Sequence, residues 1–410
     1  LHRRGAAVVA IAAVVSVLVR LCVAGSTFGT DDVHYWTEFA EGVRRFGPIG
    51  IYGHSFEAQY NHPPLAGWML LAFNHLSRLG LSFSFWIRLP ASVSDGVTGV
   101  LLFRLLDQCG NRRSAVLASL LFLLSPLGII VSGFHGNTDP VFVMLAVSAL
   151  YLAQVRGRAF PVGLLLALAI SVKIVPVILL PLFVVHMAGR GRAHLARFVA
   201  GGAAVFLVLW VPVLLMRPAP FLTDVVGYAG NGSVEWGLPV VALTAGLGVA
   251  DNPAVLHGFS YVALGLAAAV PLLAVRGRSP ETLVLRFGLT LSMFLLLSPA
   301  FGMQYLVWPL AASYLVSLRQ ATWYNLVASG FALFVYSLWN GAMPWNWLEA
   351  RSTPFPPQVV PVMLACWLSL LAVVVRGLER ARTTAVTEGP AAPPRIDRSA
   401  DSSVRTVPRP

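Results

Sequence analysis

The chain is 410 residues long, with 57% hydrophobic and only 11% charged residues, where an average soluble domain carries about 25% charged residues. With a mean hydropathy of +0.74 and repeated uncharged runs of about 20 residues, this composition describes a polytopic membrane protein and excludes soluble Rossmann, barrel and sandwich folds. The net charge of +12 resides in short loops and the C-terminal stretch rather than in one stripe, so it sets topology and calls for no nucleic acid.

In chain order, Leu1-His2-Arg3-Arg4 leads into an apolar run from Gly5 to Gly25. That pattern resembles a signal peptide, but many spans follow, so it is read as a first membrane helix with its N-terminus in the cytoplasm. Further spans are predicted near 86–106, 114–133, 139–155, 197–215, 255–275, 282–298, 303–318, 321–340 and 359–376. Residues 62–79 are short for a span and carry His75 and Arg78; they are expected to lie on the outer surface as an amphipathic helix. Residues 160–187 are broken by Ser-Val-Lys-Ile-Val-Pro at 171–176 and are expected to form a hairpin of two short helices.

This layout leaves Arg112, Arg113, Arg158, Arg190, Arg192 and Arg197 inside, as the positive-inside rule requires. The expected architecture is an all-α polytopic membrane protein of about twelve membrane helices with an external amphipathic surface helix and both ends cytoplasmic. Residues 1–376 form the membrane domain, with an external loop at 28–85. Residues 377–410, rich in Pro, Arg, Ser and Thr, are expected to be a disordered cytoplasmic tail. Cys22, Cys109 and Cys366 are odd in number and lie in or beside apolar segments, so no disulfide framework is implied.

The acids are few, and the densest stretch follows the first span: Asp31 and Asp32, then Glu38 and Glu41. An adjacent carboxylate pair can hold a cation or deprotonate a hydroxyl, and mutual repulsion raises one pKa. The same residues also suit a helix start, with Thr30 or Asp31 as the cap of a helix over 32–46. His62-Pro63-Pro64-Leu65 reads as a proline-capped helix start. Asp95, inside a predicted span with Arg88 at its outer end, costs about 2.5–3.5 kcal/mol to insert and needs a partner or a role. The stretch Gly133 to Asp139 contains His135, Asn137 and Asp139 on the same predicted face as Asp31. Lys173 is the one lysine of the chain and sits at the hairpin tip, where an ammonium suits an anionic lipid headgroup. Gln304 and Tyr305, and the Trp-rich run 339–347, face outward; such aromatics form an interfacial belt or stack on sugar rings.

Taken in order, these pieces resemble the GT-C superfamily of integral-membrane glycosyltransferases, which use polyprenyl-phosphate sugars. The matching elements are the acidic pair Asp31–Asp32, the PPL helix at His62 to Leu65, RLPxxxxD from Arg88 to Asp95 and GxxGNTD from Gly133 to Asp139. SVKxxP from Ser171 to Pro176 and SPxxxxQYLVWPL from Ser298 to Leu310 complete the set. The tone is closest to bacterial mannosyltransferase-like members. Related aminoarabinose transferases often have KPPL where this chain has His62.

The resemblance implies an inverting transfer of a hexose, mannose favoured, to an acceptor hydroxyl on a glycan or glycolipid at the external face of the cell membrane. Asp31 or Asp32 would be the general base. Lys173, His62 and Arg88 would bind the donor phosphate, and His135, Asn137, Asp139, Gln304 and Tyr305 the sugar or acceptor. No cofactor is expected; a divalent metal is the alternative some relatives suggest. A lipid-headgroup transporter or flippase is the rival reading, and it should show internal repeats and ionisable groups at the midplane. In a non-catalytic membrane scaffold, the third reading, the acidic pair and Lys173 would be incidental.

Overall fold

A computed structural model of the chain describes residues 2–154, 158–228, 234–248, 252–277, 279–341 and 349–387. Among these residues the chain is helical throughout, with one isolated bridge between Thr30 and Ala350. Five helices are long and apolar enough to cross a membrane: Arg4–Ser26, Phe83–Gln108, Arg192–Met216, Ala254–Ala274 and Val359–Thr383. Arg112–Leu123 and Pro126–His135, bent by 43° at Ser125, make a sixth if the pair crosses as one broken span. Asp139–Ala153, Ala159–Val172 and Val175–Ala188 are apolar but shorter, so among the described residues five or six helices qualify by length and composition where about twelve were expected.

α1 (His2–Ser26) packs on α4 (Phe83–Gln108) and α5 (Arg112–Leu123). Between α1 and α4 the chain leaves the bundle. α2 (Asp31–Gly50) opens on a Thr30 cap whose hydroxyl accepts from the Asp32 amide, and it kinks at Gly47, which has φ +78° ahead of Pro48. α3 (Pro64–Leu76) starts on the tandem prolines, as pre-organised φ angles favour. At 13 residues it is about 20 Å long, too short to span. It lies against α2 instead. Trp36, Phe39, Tyr52, Tyr60, Leu70 and Phe221 form a hydrophobic core beneath these two helices, separate from that of the main bundle.

Ser125-Pro126 breaks the span after α5, and its continuation ends in a π-helical turn, Ile130–His135, closed by Gly136 at φ +88°. α6 (Asp139–Ala153) and α7 (Ala159–Val172) follow. The helix stops at Lys173, which is extended at φ −149° and ψ 142°. Beyond it, a turn at Val175–Leu179 leads into α8 (Leu180–Ala188). The direction reverses here: His186 near the end of α8 bonds the carbonyl of Ala153 at the end of α6. α9 (Arg192–Val205) then runs parallel to α7. Gly163 and Gly201 allow this crossing, because a Cβ on Gly163 would lie 1.9 Å from the Phe198 carbonyl and one on Gly201 would lie 2.1 Å from that of Phe160.

α10 (Pro253–Ala274), α11 (Pro280–Leu297), α12 (Trp308–Val316), α13 (Leu318–Asn340) and α14 (Val359–Thr387) complete the bundle. α14 continues past Arg376 to Thr387, so the first part of the expected tail is helical rather than disordered, carrying on the register of the preceding span. The rest of that tail, and most of the Trp-rich run, lie outside the described residues. One end of the bundle gathers arginines: Arg112 pairs with Asp107, Arg286 donates to the Val275 carbonyl and Arg380 to that of Val316. The sequence motifs converge at the other end.

Candidate active site

Four helix ends and two loops build the site. α2 begins at Asp31 and Asp32, the π-turn ends at His135, α6 begins at Asp139, and α7 ends at Lys173. Residues 303–308 and the 349–353 loop close it. Asp31 and Asp32 face different partners because successive helical residues point about 100° apart.

The Oδ2 atom of Asp31 accepts from the Ser352 amide at 3.1 Å and from the Ser352 hydroxyl. The backbone supports this clasp, with Asp31 N donating to Ala350 O at 3.0 Å and Ala350 N to Gly29 O at 2.9 Å. Burial pushes the Asp31 pKa up and Asp32 adds to that, against the Ser352 bonds. Burial would also raise Asp32, but the His135 imidazole 2.9 Å from its Oδ2 outweighs this, with Lys173 assisting, and the net direction is down. The pair is thus split into one carboxylate that protonates early and one that stays ionised.

Lys173 Nζ bonds Asp139 Oδ1 at 2.7 Å, and Trp308 Nε1 donates to Oδ2 at 2.7 Å. The ammonium also lies 4.6 Å from the Tyr305 ring centroid and 5.2 Å from that of Trp308, which are stacked on each other. Lys173 remains part-exposed while Asp139 is buried. The lysine is therefore held by its counter-ion and two rings with one side still open. The Asp139 amide is capped by Asn137 Oδ1, and Asn137 Nδ2 is buried with no hydrogen-bond partner. Tyr228, from the segment after α9, bonds Asn61 near Lys173 and Asp32.

Three expectations need correction. Arg88 was expected at the donor phosphate, but its guanidinium is buried and fully engaged. It donates to the carbonyls of Ser84, Ala24, Thr27, Gly133 and Phe134 and to the Thr27 hydroxyl, at 2.7–3.3 Å. A guanidinium has five N–H groups, and none is left over. His62 was also expected at the donor phosphate. It stacks on Trp36 at 4.2 Å, and burial together with Lys173 lowers its pKa to about 3, so it is neutral near pH 7. His135 was expected at the sugar, yet both ring nitrogens are taken within the protein, by Asp32 at 2.9 Å and the Tyr336 hydroxyl at 2.6 Å.

Gln304 and Tyr305 lie at the site edge, half-buried. Asp95 pairs with Arg20 at 3.2 Å and accepts from Ser132, so it is structural. Among the described residues, no group of three or more His, Cys, Asp or Glu could hold a metal ion.

Sequence reasoning missed Tyr336, Ser352 and Arg20. Tyr336 ends an apolar run, 331–336, within its helix and Ser352 lies in a loop 321 residues from its partner, so neither has a local signal. Arg20 does have one, a charge inside the first span.

Residues 61–216 match the family described as dolichyl-phosphate-mannose-protein mannosyltransferase. GPI mannosyltransferase 1 of Eremothecium gossypii is 32% identical over 155 residues, 37% of this chain and 36% of that protein. The Kluyveromyces lactis protein of the same name is 25% identical over 267 residues, 62% of this chain and 64% of its own. The chain thus spans about a third of the first relative and under two thirds of the second. The crystal structure of ArnT from Cupriavidus metallidurans bound to undecaprenyl phosphate superposes with a TM-score of 0.51 at 15% identity, covering 92% of this chain and 78% of that one. That likeness is one of fold. In fold the chain is similar to ArnT, and over residues 61–216 its sequence is similar to the mannosyltransferase family.

Proposed function

We propose that the chain transfers a hexose, with mannose favoured, from a polyprenyl-phosphate sugar to a glycan or glycolipid hydroxyl on the external face, with inversion. The observation that carries this reading is the meeting of the acidic pair and the lone lysine at one end of the bundle, opposite the arginine-rich end. In one displacement the acceptor oxygen attacks the anomeric carbon. The bond to the phosphate oxygen breaks and its electron pair leaves with the polyprenyl phosphate.

Asp31 is the better base: Ser352 holds Oδ2, the other carboxylate oxygen has no donor among the described residues, and burial raises its basicity. Asp32 stays ionised beside His135. Lys173 answers the charge on the departing phosphate, exchanging part of its bond to Asp139 for a second anion. Its aromatic bed of Tyr305 and Trp308 keeps the ammonium in place during that exchange. Because a phosphate is a good leaving group, the reading calls for neither a strong acid nor a dedicated metal. Clustering of Asp31, Asp32, His135, Asp139 and Lys173 at one end speaks against the transporter reading, and the Arg20–Asp95 pair inside the spans is closed on itself and Ser132.

The test is transfer by the purified chain in nanodiscs, with polyprenyl-phosphate mannose and polyprenyl-phosphate glucose offered against a panel of glycolipids. Transfer of mannose with an inverted anomeric centre supports the proposal. Absence of transfer from either donor, or retention of configuration, refutes it.

A further inference from the structure

The π-helical turn Ile130–His135 is held with unusual completeness. Such a turn leaves carbonyls at its end without helical partners. Here Arg88 accepts the duty for Gly133 and Phe134, at 3.2 and 3.3 Å, and the Thr30 hydroxyl donates to the His135 carbonyl at 2.8 Å. One position earlier, Ser132 donates to Asp95, which Arg20 pairs from α1. The backbone that carries His135 is therefore fixed from α1, α2 and α4 at once.

The ring has as little freedom as the backbone. His135 is 3% exposed, and it bridges Tyr336 on α13 to Asp32 on α2. The protonation pattern follows from the partners. Asp32 is an ionised acceptor, so the ring nitrogen facing it, Nε2, must carry a proton. In a neutral ring whose proton is on Nε2 the other nitrogen can only accept, so the Tyr336 hydroxyl donates a hydrogen bond to Nδ1 at 2.6 Å.

We infer that His135 is a positioning residue for Asp32, locked by Tyr336 as the Nε2–H tautomer. Its job is to hold the Asp32 carboxylate in one orientation and leave Asp31 as the group that moves a proton. The inference rests on the glycosyl-transfer reading for its kinetic consequence, but the tautomer stands on the hydrogen bonds alone. The hydrogen-bonded path from Tyr336 to Asp32 runs through the imidazole.

The experiment uses the full chain in nanodiscs. With ¹⁵N-labelled histidine, the His135 resonances are assigned by their disappearance in His135→Gln. The expected spectrum shows a protonated Nε2 and an unprotonated, hydrogen-bonded Nδ1. In Tyr336→Phe the Nδ1 signal should move to the position of a nitrogen without a donor. A proton on Nδ1 and none on Nε2, or an unmoved Nδ1 signal in Tyr336→Phe, overturns the assignment. This arm needs no substrate, so it is decided even if sugar transfer is not found.

The kinetic arm compares His135→Gln with His135→Leu. The glutamine amide reaches as far as Nε2 and keeps a donor to Asp32, whereas leucine removes it. Turnover should fall about 10-fold or more in His135→Leu and be largely restored in His135→Gln, with donor KM unchanged in both. Equal turnover in the two variants, in protein that melts like the parent, refutes the positioning role.

Discussion

Asp31→Asn is the most informative single change at this site, because it separates the two things that Asp31 does. As the partner of Ser352, the side chain needs only an oxygen acceptor for one amide and one hydroxyl, and an asparagine oxygen supplies it. Asparagine also serves a helix start about as well as aspartate. Stability should therefore change by less than about 1 kcal/mol. As a general base, by contrast, the side chain is lost outright. Positioned base catalysis contributes about 10²–10⁴-fold, or roughly 2.7–5.5 kcal/mol of barrier, so turnover should fall by that factor with donor KM unchanged. Asp32→Asn keeps the acceptor for His135 and loses only charge, so its turnover should fall less, about 10-fold.

The pH profile supplies the sign. A base must be ionised, and the Asp31 pKa is raised by burial and by Asp32. The acidic limb of kcat should therefore lie above the ordinary carboxylate range near 3.9, with activity lost as pH falls through it. The assay is single-turnover transfer from a labelled polyprenyl-phosphate mannose, with melting temperature measured on the same samples. Near wild-type turnover in both variants would refute the mechanism. A dead Asp32→Asn beside an active Asp31→Asn would reverse the two roles.

Other outcomes follow from neighbouring contacts. Lys173→Met should raise donor KM at least about 10-fold, but it also strands the buried Asp139, a loss of about 3–5 kcal/mol. Adding Asp139→Asn should restore the melting temperature and not the donor affinity; recovery of both would remove Lys173 from the phosphate site. His62, at about 3 in the folded chain against 6.5 unfolded, should make stability fall as pH drops below 6.5, because the unfolded state binds the proton first. His62→Phe keeps a ring on Trp36 and should remove about 1–2 kcal/mol of the difference in unfolding free energy between pH 7.5 and pH 5, read by denaturant titration at each pH. Gly163→Ala should lower the melting temperature sharply, since the added methyl meets the Phe198 carbonyl, and an unchanged melting curve would contradict the close crossing of α7 and α9.

Much of this architecture was legible in the residue order, and for local reasons. Apolar runs, tandem prolines at 63–64, the polar break at 171–176 and the arginine distribution each act within a few residues of themselves. They indicated a helical membrane bundle, a short surface helix and a chain reversal at Lys173. The acidic pair and the lone lysine stood out by rarity, so they could be singled out as candidates before their geometry was known. What each residue does was decided by groups far away in sequence. Arg88 spends its donors on carbonyls from residues 24–27 and 133–134, His62 is neutralised by burial against Trp36, and His135 is held between residues 32 and 336. A motif records which side chains are present, but the charge state and free hydrogen-bonding capacity of each depend on what surrounds it. In a buried site those surroundings come from helices that meet only when the bundle closes.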